Sequence, residues 1–196
     1  MGLVSSKFVA LFLGTTGVGI VGLLQNTLSI ITSITGFGIN ISGVRMVALA
    51  HSEKDQEQFS KSIVVLQRWS IVTGILGVLL TFLLAKPLSI WTFGSVDYVN
   101  WFYILSINFI FSSLAVHKMV VLQGTRSMKA IAVSTVIYAV LATCVTIPIY
   151  YFFRMDGIVP VLVLTAVLNY LVNWFFSRKI EIIPVQVSVK ETISCG

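Results

Sequence analysis

The sequence predicts an all-α fold: a polytopic membrane helix bundle with about five complete spans plus a partial N-terminal helix. Apolar residues make up 57% of the chain and charged residues only 10%, and a soluble domain needs more charge than that on its surface. The charges are clustered, and the stretches between them are long enough to cross about 30 Å of hydrocarbon as helices of roughly 17 to 25 residues. The chain is therefore predicted to lie almost entirely within the bilayer.

Five apolar stretches define the spans. We predict them at about 18–44, 63–85, 100–120, 130–153 and 157–177. The first exceeds the length of a straight span, so we expect it to tilt or to break at Gly36-Phe37-Gly38. The second includes Arg68, whose charge is expected to snorkel to the surface or to face a polar interior.

The rest of the chain divides into its two ends and one loop. Residues 1–14 are predicted to be the end of a truncated first helix, closed by Gly14, because glycine is the usual residue just past a helix C-terminus. Residues 15–179 form the predicted bundle, and residues 180–196 form a tail. Residues 51–58 carry charges of both signs and are predicted to be a solvated loop.

The basic residues predict the orientation in the membrane. Ten of the 13 Lys and Arg residues fall on one side of the predicted bundle, namely Arg45, Lys54, Lys61, Arg68, Lys118, Arg126, Lys129, Arg178, Lys179 and Lys190. The positive-inside rule places that side in the cytoplasm, with connectors 45–62 and 121–129 and the tail. Connectors 86–99 and 154–156 then face outward. Because topology accounts for the net positive charge, we expect no nucleic-acid partner.

The spans offer little for catalysis. They contain no Asp or Glu, whereas a membrane hydrolase or transferase needs paired acids, a metal cluster or an activated nucleophile. His51 and His117 have no metal-ligating neighbour at ligand spacing, so we interpret both as interfacial polar residues. We expect no enzymatic activity, no catalytic residue, no cofactor and no metal site.

A glycine motif near the start of the chain has a structural interpretation. Gly17 to Gly22 match G-x-G-x-x-G, but the dinucleotide fingerprint needs a preceding strand and an acidic residue about 20 positions further on. No Asp or Glu occurs before Glu53. We interpret these glycines as a place of close helix packing or as a flexible helix start, since small residues are favoured at both in membranes.

Five residues are candidates for substrate binding: Arg45, Lys118, Arg126, Lys129 and Asn26. Positive-inside topology alone explains most of the basic ones, and the functional alternative is an inner vestibule that attracts a phosphate headgroup. Arg45 and Arg126 are the stronger candidates, because each lies close to a glycine and can approach a cavity. Asn26 either lines a polar path or packs against another helix.

Several segments, taken in order, resemble a family of membrane transporters. Phe8 to Gly19 resembles the join between the first two helices of oligosaccharide flippases, although Thr15-Thr16 replaces the usual Pro-Glu. Thr35 to Ile39 and Val44 to Ala48 resemble the end of the family's second helix. Leu122 to Lys129 resembles its connector between helices four and five. Asp156-Gly157-Ile158-Val159 resembles the entry to helix six, with Pro160 in place of a glycine.

The resemblance is to the polysaccharide-transport branch of the multidrug/oligosaccharidyl-lipid/polysaccharide exporter superfamily. It implies that the five spans are helices two to six of about twelve to fourteen, so the chain is an N-terminal lobe fragment whose cytoplasmic tail leads to a missing C-terminal lobe. It also implies a multi-pass protein of a bacterial or archaeal cytoplasmic membrane. The expected partners are the lipid bilayer, the other lobe and a lipid-linked oligosaccharide.

The function that the resemblance implies is the flipping of a polyprenyl-pyrophosphate-linked oligosaccharide across that membrane, for surface polysaccharide biosynthesis. One alternative is a multidrug exporter of the same superfamily. Its cationic cargo would favour an acidic cavity, so the absence of Asp and Glu from the spans argues against this alternative. The other alternative is a non-transporting membrane scaffold or an inactive fragment, because one lobe cannot form both sides of an alternating-access cavity.

Overall fold

The computed structural model describes residues 3–36, 39–52 and 56–178, with side chains described for 10–36, 42–50 and 57–178. These residues form seven α-helices and no strand, which confirms the predicted fold class. The helices are α1 Leu3–Gly36, α2 Ile39–Ser52, α3 Gln56–Leu83, α4 Ala85–Phe93, α5 Val99–Gly124, α6 Met128–Phe153 and α7 Ile158–Ser177, with a 3-10 turn at Arg154–Gly157 between α6 and α7. The predicted tail lies outside the described residues.

Four helical stretches of the described chain are long and apolar enough to cross a membrane: Ala10–Gly36, Glu57–Leu83, Val99–Gly124 and Met128–Ser177. The last is 50 residues long and contains both α6 and α7. Since one span needs only about 20 residues, that stretch has the length of two spans. The helices therefore agree with a bundle of about five spans.

Two predicted connectors are largely helical instead of loops. In connector 45–62, α2 continues to Ser52 and α3 already begins at Gln56, and an ion pair of 2.7 Å between Lys61 and Glu57 stabilises the first turns of α3. The predicted charged loop 51–58 is thus wrong for the described residues, while 53–55 lie outside them. In connector 86–99, the short helix α4 was not predicted.

The first predicted span contains parts of two helices, α1 up to Gly36 and α2 from Ile39. The predicted break at Gly36-Phe37-Gly38 stays a prediction, because residues 37–38 lie outside the described residues. Helix α1 is interrupted at Gly14, where the backbone leaves the helical region with φ 69° and ψ −172°. Helical residues precede Gly14 as predicted, but the helix resumes directly after it instead of ending there. Glycine suits this position because positive φ is costly for residues with a Cβ.

Helices α1 and α2 together extend from one end of the bundle to the other. At the start of α1, Phe12 contacts Tyr151 at the end of α6, with ring centroids 6.0 Å apart. Towards the end of α1, Thr35 lines the same small cavity as Thr73 in the middle of α3. In α2, Val47 packs against residues from the start of α3 and the end of α5. We call the end with Arg45, Lys118, Arg126 and Lys129 the inner end, and the opposite one the outer end.

Glycines bring α3 and α5 into close contact. A Cβ placed on Gly77 would lie 2.9 Å from the ring atoms Cγ and Cδ1 of Phe109, and one on Gly74 would lie 3.0 Å from Oγ of Ser113. Phe109 is itself buried in the larger hydrophobic cluster. Small residues at helix interfaces let backbones approach, and in lipid this packing is a main source of helix association. Helix α5 packs as extensively on α7 and also contacts α2, α4 and α6, so α5 is the centre of the bundle.

Candidate functional site

A polar stripe runs along the side of α1 that faces away from the core. It consists of small and polar residues at alternating spacings of four and three, namely Thr15, Gly19, Gly22, Asn26, Ser29 and Ser33. This spacing keeps the residues on one face of a helix. The stripe is about 27 Å long by the rise of 1.5 Å per residue. The core residues of α1, such as Leu24 and Leu28, lie on its opposite face.

No described part of the chain covers this stripe at its glycines. A Cβ added at Gly19 or Gly22 would meet no atom within 4 Å. Of the two interpretations of Gly17 to Gly22, close packing therefore does not hold at Gly19 and Gly22 within the described chain, while the flexible helix start stays a prediction. Gly17 is buried, against Leu13 of its own helix.

The serine hydroxyl groups of the stripe donate their hydrogens to the backbone of α1. Ser29 donates to the backbone oxygen of Gln25 at 2.8 Å, and Ser33 donates to that of Ser29 at 2.8 Å. Their oxygens keep lone pairs that can accept hydrogen bonds. The exposed amide of Asn26 adds both donors and an acceptor. The stripe thus presents hydroxyl lone pairs and the amide of Asn26 on a face of α1 that is turned away from the core.

An apolar ridge on α1 lies beside the polar stripe. Its residues Leu23, Ile30 and Ile34 are 45%, 50% and 59% exposed. Exposed apolar side chains of this kind are expected where a helix meets lipid. Helix α1 therefore presents two neighbouring exposed surfaces, an apolar one and one that carries polar groups.

The predicted basic residues lie at the inner end. Arg45 is exposed on α2, on the side opposite the buried residues Gly43 and Val47. Lys118 is half-buried in the last two turns of α5, and Lys129 is exposed in the first turn of α6. These basic side chains and Arg126 share one end of the bundle, while Asn26 lies on the polar stripe of α1. The structure thus separates the five candidates into two groups.

Arg126 occupies a strained turn between α5 and α6. Its φ is 52°, in the left-handed region. The backbone N–H of Ser127 donates to the oxygen of Leu122 at 3.2 Å, and that of Arg126 donates to the oxygen of Gln123 at 3.0 Å. This pattern ends a helix and usually has glycine where Arg126 stands. An arginine there costs about 1 kcal/mol or more in backbone strain, so the turn itself does not explain the residue.

His117 is buried, so its interpretation as an interfacial residue is wrong. Its side chain is 1% exposed, and neither ring nitrogen has a hydrogen-bond partner in the described part of the chain. Asn173 also lies inside, where its amide donates to Oδ1 of Asn169 at 2.8 Å within α7. Among the described residues, no group of three or more His, Cys, Asp or Glu could hold a metal ion.

A bundle of membrane-length helices, with a polar face turned away from its own core, defines a multi-pass integral membrane protein. The chain belongs to the polysaccharide biosynthesis protein family, whose model matches residues 1–195. Membership in this family associates the chain with membrane-linked polysaccharide transport or biosynthesis. No curated protein and no solved structure matches the sequence.

Proposed function

We propose that this chain is one lobe of a flippase that moves a polyprenyl-pyrophosphate-linked oligosaccharide outward across the cytoplasmic membrane of a bacterial or archaeal cell. The observation that carries the proposal is the polar stripe of α1, which lies on the face of the helix opposite the core and is not covered by the described chain at Gly19 and Gly22. The saccharide cargo is proposed because the chain belongs to the polysaccharide biosynthesis protein family. A polar surface inside a membrane is costly unless it serves a path or a partner.

In this proposal the stripe guides the sugar part of the cargo. Sugars present many hydroxyl groups that can donate hydrogen bonds. The oxygens of Ser29 and Ser33 can accept these bonds, and the amide of Asn26 can both donate and accept. The open space at Gly19 and Gly22 leaves room for a ring to approach the backbone. Weak, repeated contacts of this kind hold a cargo without trapping it.

The basic residues of the inner end have a different role. Arg45, Arg126, Lys129 and Lys118 attract the pyrophosphate group, whose negative charges favour a cationic surface in a cleft of low dielectric. Arginine suits this task because its planar group binds phosphate oxygens in pairs. The strained backbone at Arg126 fits a residue retained for its side chain.

The proposal includes a second lobe that completes the path. Transporters of this kind place the substrate between two halves and expose it alternately to each side of the membrane. The polar stripe of α1 would face the cavity between the lobes, and the apolar ridge beside it would face lipid. The other lobe and the lipid-linked oligosaccharide are thus the partners that this surface requires.

The experiment that tests the proposed function measures surface polysaccharide in cells whose own copy of the gene is replaced by variants. We expect the double variant Arg45→Ala, Arg126→Gly to reduce export at least about tenfold, the equivalent of 1.4 kcal/mol, and to leave the protein level unchanged. Glycine is used at position 126 because it relieves the positive φ and keeps the turn. Lipid-linked oligosaccharide should accumulate in the inner leaflet.

A matched control removes another basic charge from the same end. Arg178 lies over the ring of Trp174, 4.6 Å from its centroid, so its charge is already engaged. Arg178→Ala should leave export near the wild-type level. Normal export by the double variant would mean that Arg45 and Arg126 only set the orientation of the protein in the membrane. Normal surface polysaccharide in cells that lack the gene altogether would refute the proposed function.

A further inference from the structure

Helix α4 is the shortest α-helix of the described chain, and it lies at the outer end of the bundle. Its nine residues, Ala85–Phe93, extend about 13 Å by the rise of 1.5 Å per residue. That is less than half of the roughly 30 Å of hydrocarbon in a bilayer. Because α4 connects the end of α3 to the start of α5, it lies either in water beyond the membrane or at the boundary between lipid and water.

The side chains of α4 divide between two faces of the helix. On one face, Ala85 and Ser89 are buried, and Leu88 and Phe93 pack against the larger hydrophobic cluster. The exposed face consists of four residues spaced as i, i+1, i+4 and i+5, namely Lys86, Pro87, Ile90 and Trp91. This spacing keeps the four on one side of a helix, so α4 turns one complete face away from the bundle.

The exposed face of α4 is apolar apart from Lys86. Trp91 is 81% exposed, more than any other large hydrophobic residue of the described chain, and Ile90 is 52% exposed. A helix that faces water carries polar residues on its outward side, so this face does not suit water. The apolar surface continues at the end of α3, where Leu83 is 76% exposed, as expected of a span that meets lipid.

Two polar contacts hold α4 in this orientation. The hydroxyl oxygens of Thr92 and of Thr27 in α1 lie 3.4 Å apart. The hydroxyl of Ser89 donates to the backbone oxygen of Ser95, in the connector to α5, at 2.7 Å. Helix α4 is thus attached both to α1 and to the connector, and its exposed face cannot turn towards the core without breaking these contacts.

We propose that α4 is an in-plane anchor whose exposed face binds the phospholipid surface at the outer end of the bundle. Tryptophan is enriched at the boundary between membrane and water, where its ring contacts acyl chains and its N–H meets polar groups. Ile90 lies beside that ring, and Lys86 extends its charge to the lipid phosphates. An amphipathic helix of this kind lies in the membrane plane, with its apolar residues between headgroups and acyl chains. The inference does not depend on the cargo of the proposed function.

The test measures the depth of Trp91 in the full-length protein, reconstituted in phosphatidylcholine vesicles. All other tryptophans, including Trp69, Trp101 and Trp174, are replaced by phenylalanine, so that the fluorescence comes from Trp91 alone. Lipids brominated near the glycerol should quench it at least about twofold more than lipids brominated near the chain ends. Iodide dissolved in the water should quench it less than the shallow bromines do.

Lys86→Glu in the same background places a carboxylate among the lipid phosphates. Repulsion should move Trp91 outward, so quenching by the shallow bromines falls and quenching by iodide rises. Lys61→Glu is the matched control, because it reverses a charge in the first turns of α3, at the inner end, and should leave the depth of Trp91 unchanged.

Three results would overturn the proposal. Quenching mainly by iodide would place Trp91 in water, and quenching mainly by the deep bromines would place it inside the hydrocarbon. Weak quenching by all three reagents would mean that a protein, such as a second copy or the other lobe, covers this face. In case the tryptophan replacements prevent folding, a nitroxide attached to Ile90→Cys gives the same depth from its collisions with oxygen and with a water-soluble nickel chelate.

Discussion

Gly22→Leu should abolish export of surface polysaccharide while leaving the amount of folded protein unchanged. Gly22 lies in the middle of the polar stripe of α1, and an added Cβ meets nothing within 4 Å. The first atom of a larger side chain therefore meets no obstacle, and the higher helix propensity of leucine favours the helix by about 1 kcal/mol. In the proposed path it replaces open space with a bulky apolar group, which excludes a sugar ring and removes water that hydrates it.

The matched control for this variant is Ala139→Leu. Ala139 is an exposed small residue of α6, where neighbouring exposed residues such as Val136 and Val140 indicate contact with lipid. The change adds a side chain of the same kind to a membrane-facing surface outside the proposed path. Export should remain at the wild-type level. If Gly22→Leu exported normally, or if both variants lost export equally, the role of the stripe would be wrong.

Gly77→Leu should prevent accumulation of folded protein. Even the Cβ would lie 2.9 Å from the buried ring of Phe109, and the remaining leucine atoms have to enter the contact between α3 and α5. Overpacking of a well-packed core typically costs 1–3 kcal/mol and occasionally more, and separating two closely packed membrane helices adds lost dispersion contacts. The gain of about 1 kcal/mol in helix propensity is smaller than this cost.

The measurement is the yield of monodisperse protein after mild detergent extraction, with the melting temperature of whatever is recovered. Gly22→Leu is the natural comparison, since it introduces the same residue in a membrane helix where the structure leaves space. We expect normal yield from Gly22→Leu and a yield near background from Gly77→Leu. Equal yield and melting temperature for the two variants would contradict the packing described for α3 and α5.

The fold class was predictable because lipid imposes a simple constraint on the sequence. Long stretches without charge have few alternatives to membrane helices, and their bounds follow the charged residues. Helix α4 was missed for a local reason. Its Lys86 and Pro87 suggest a loop, but both lie in the first turn of the helix, where proline interrupts no intrahelical hydrogen bond.

The candidate site was only partly predictable. Asn26 was selected as a polar residue inside a span, and the spacing of the stripe from Thr15 to Ser33 was present in the sequence. The glycines were nevertheless interpreted as a place of packing or as a flexible helix start, because the sequence does not show which face of α1 the rest of the bundle covers. The small cavity between α1, α3 and α5, which Thr35 and Thr73 line, forms because the three helices meet at the same depth in the bundle. The sequence does not show how deeply each helix lies relative to the others.

The most direct test of the central claim asks whether the polar stripe of α1 faces water and the apolar ridge faces lipid. Cys144 and Cys195, the two native cysteines, are first replaced by serine. Single cysteines are then introduced in the full-length protein at Asn26, Ser29 and Ser33, or at Leu23, Ile30 and Ile34, and exposed in membranes to a charged methanethiosulfonate reagent. Thiols react as thiolates, which form in water and not in hydrocarbon.

We expect the three stripe positions to react and the three ridge positions to remain unmodified, although all six lie on the exposed side of one helix. Addition of lipid-linked oligosaccharide should slow the reaction at the stripe alone. Equal reactivity of the two sets, or protection of all six positions, would contradict the account. Protection of all six positions would make the stripe a surface for helix packing and not the wall of a path.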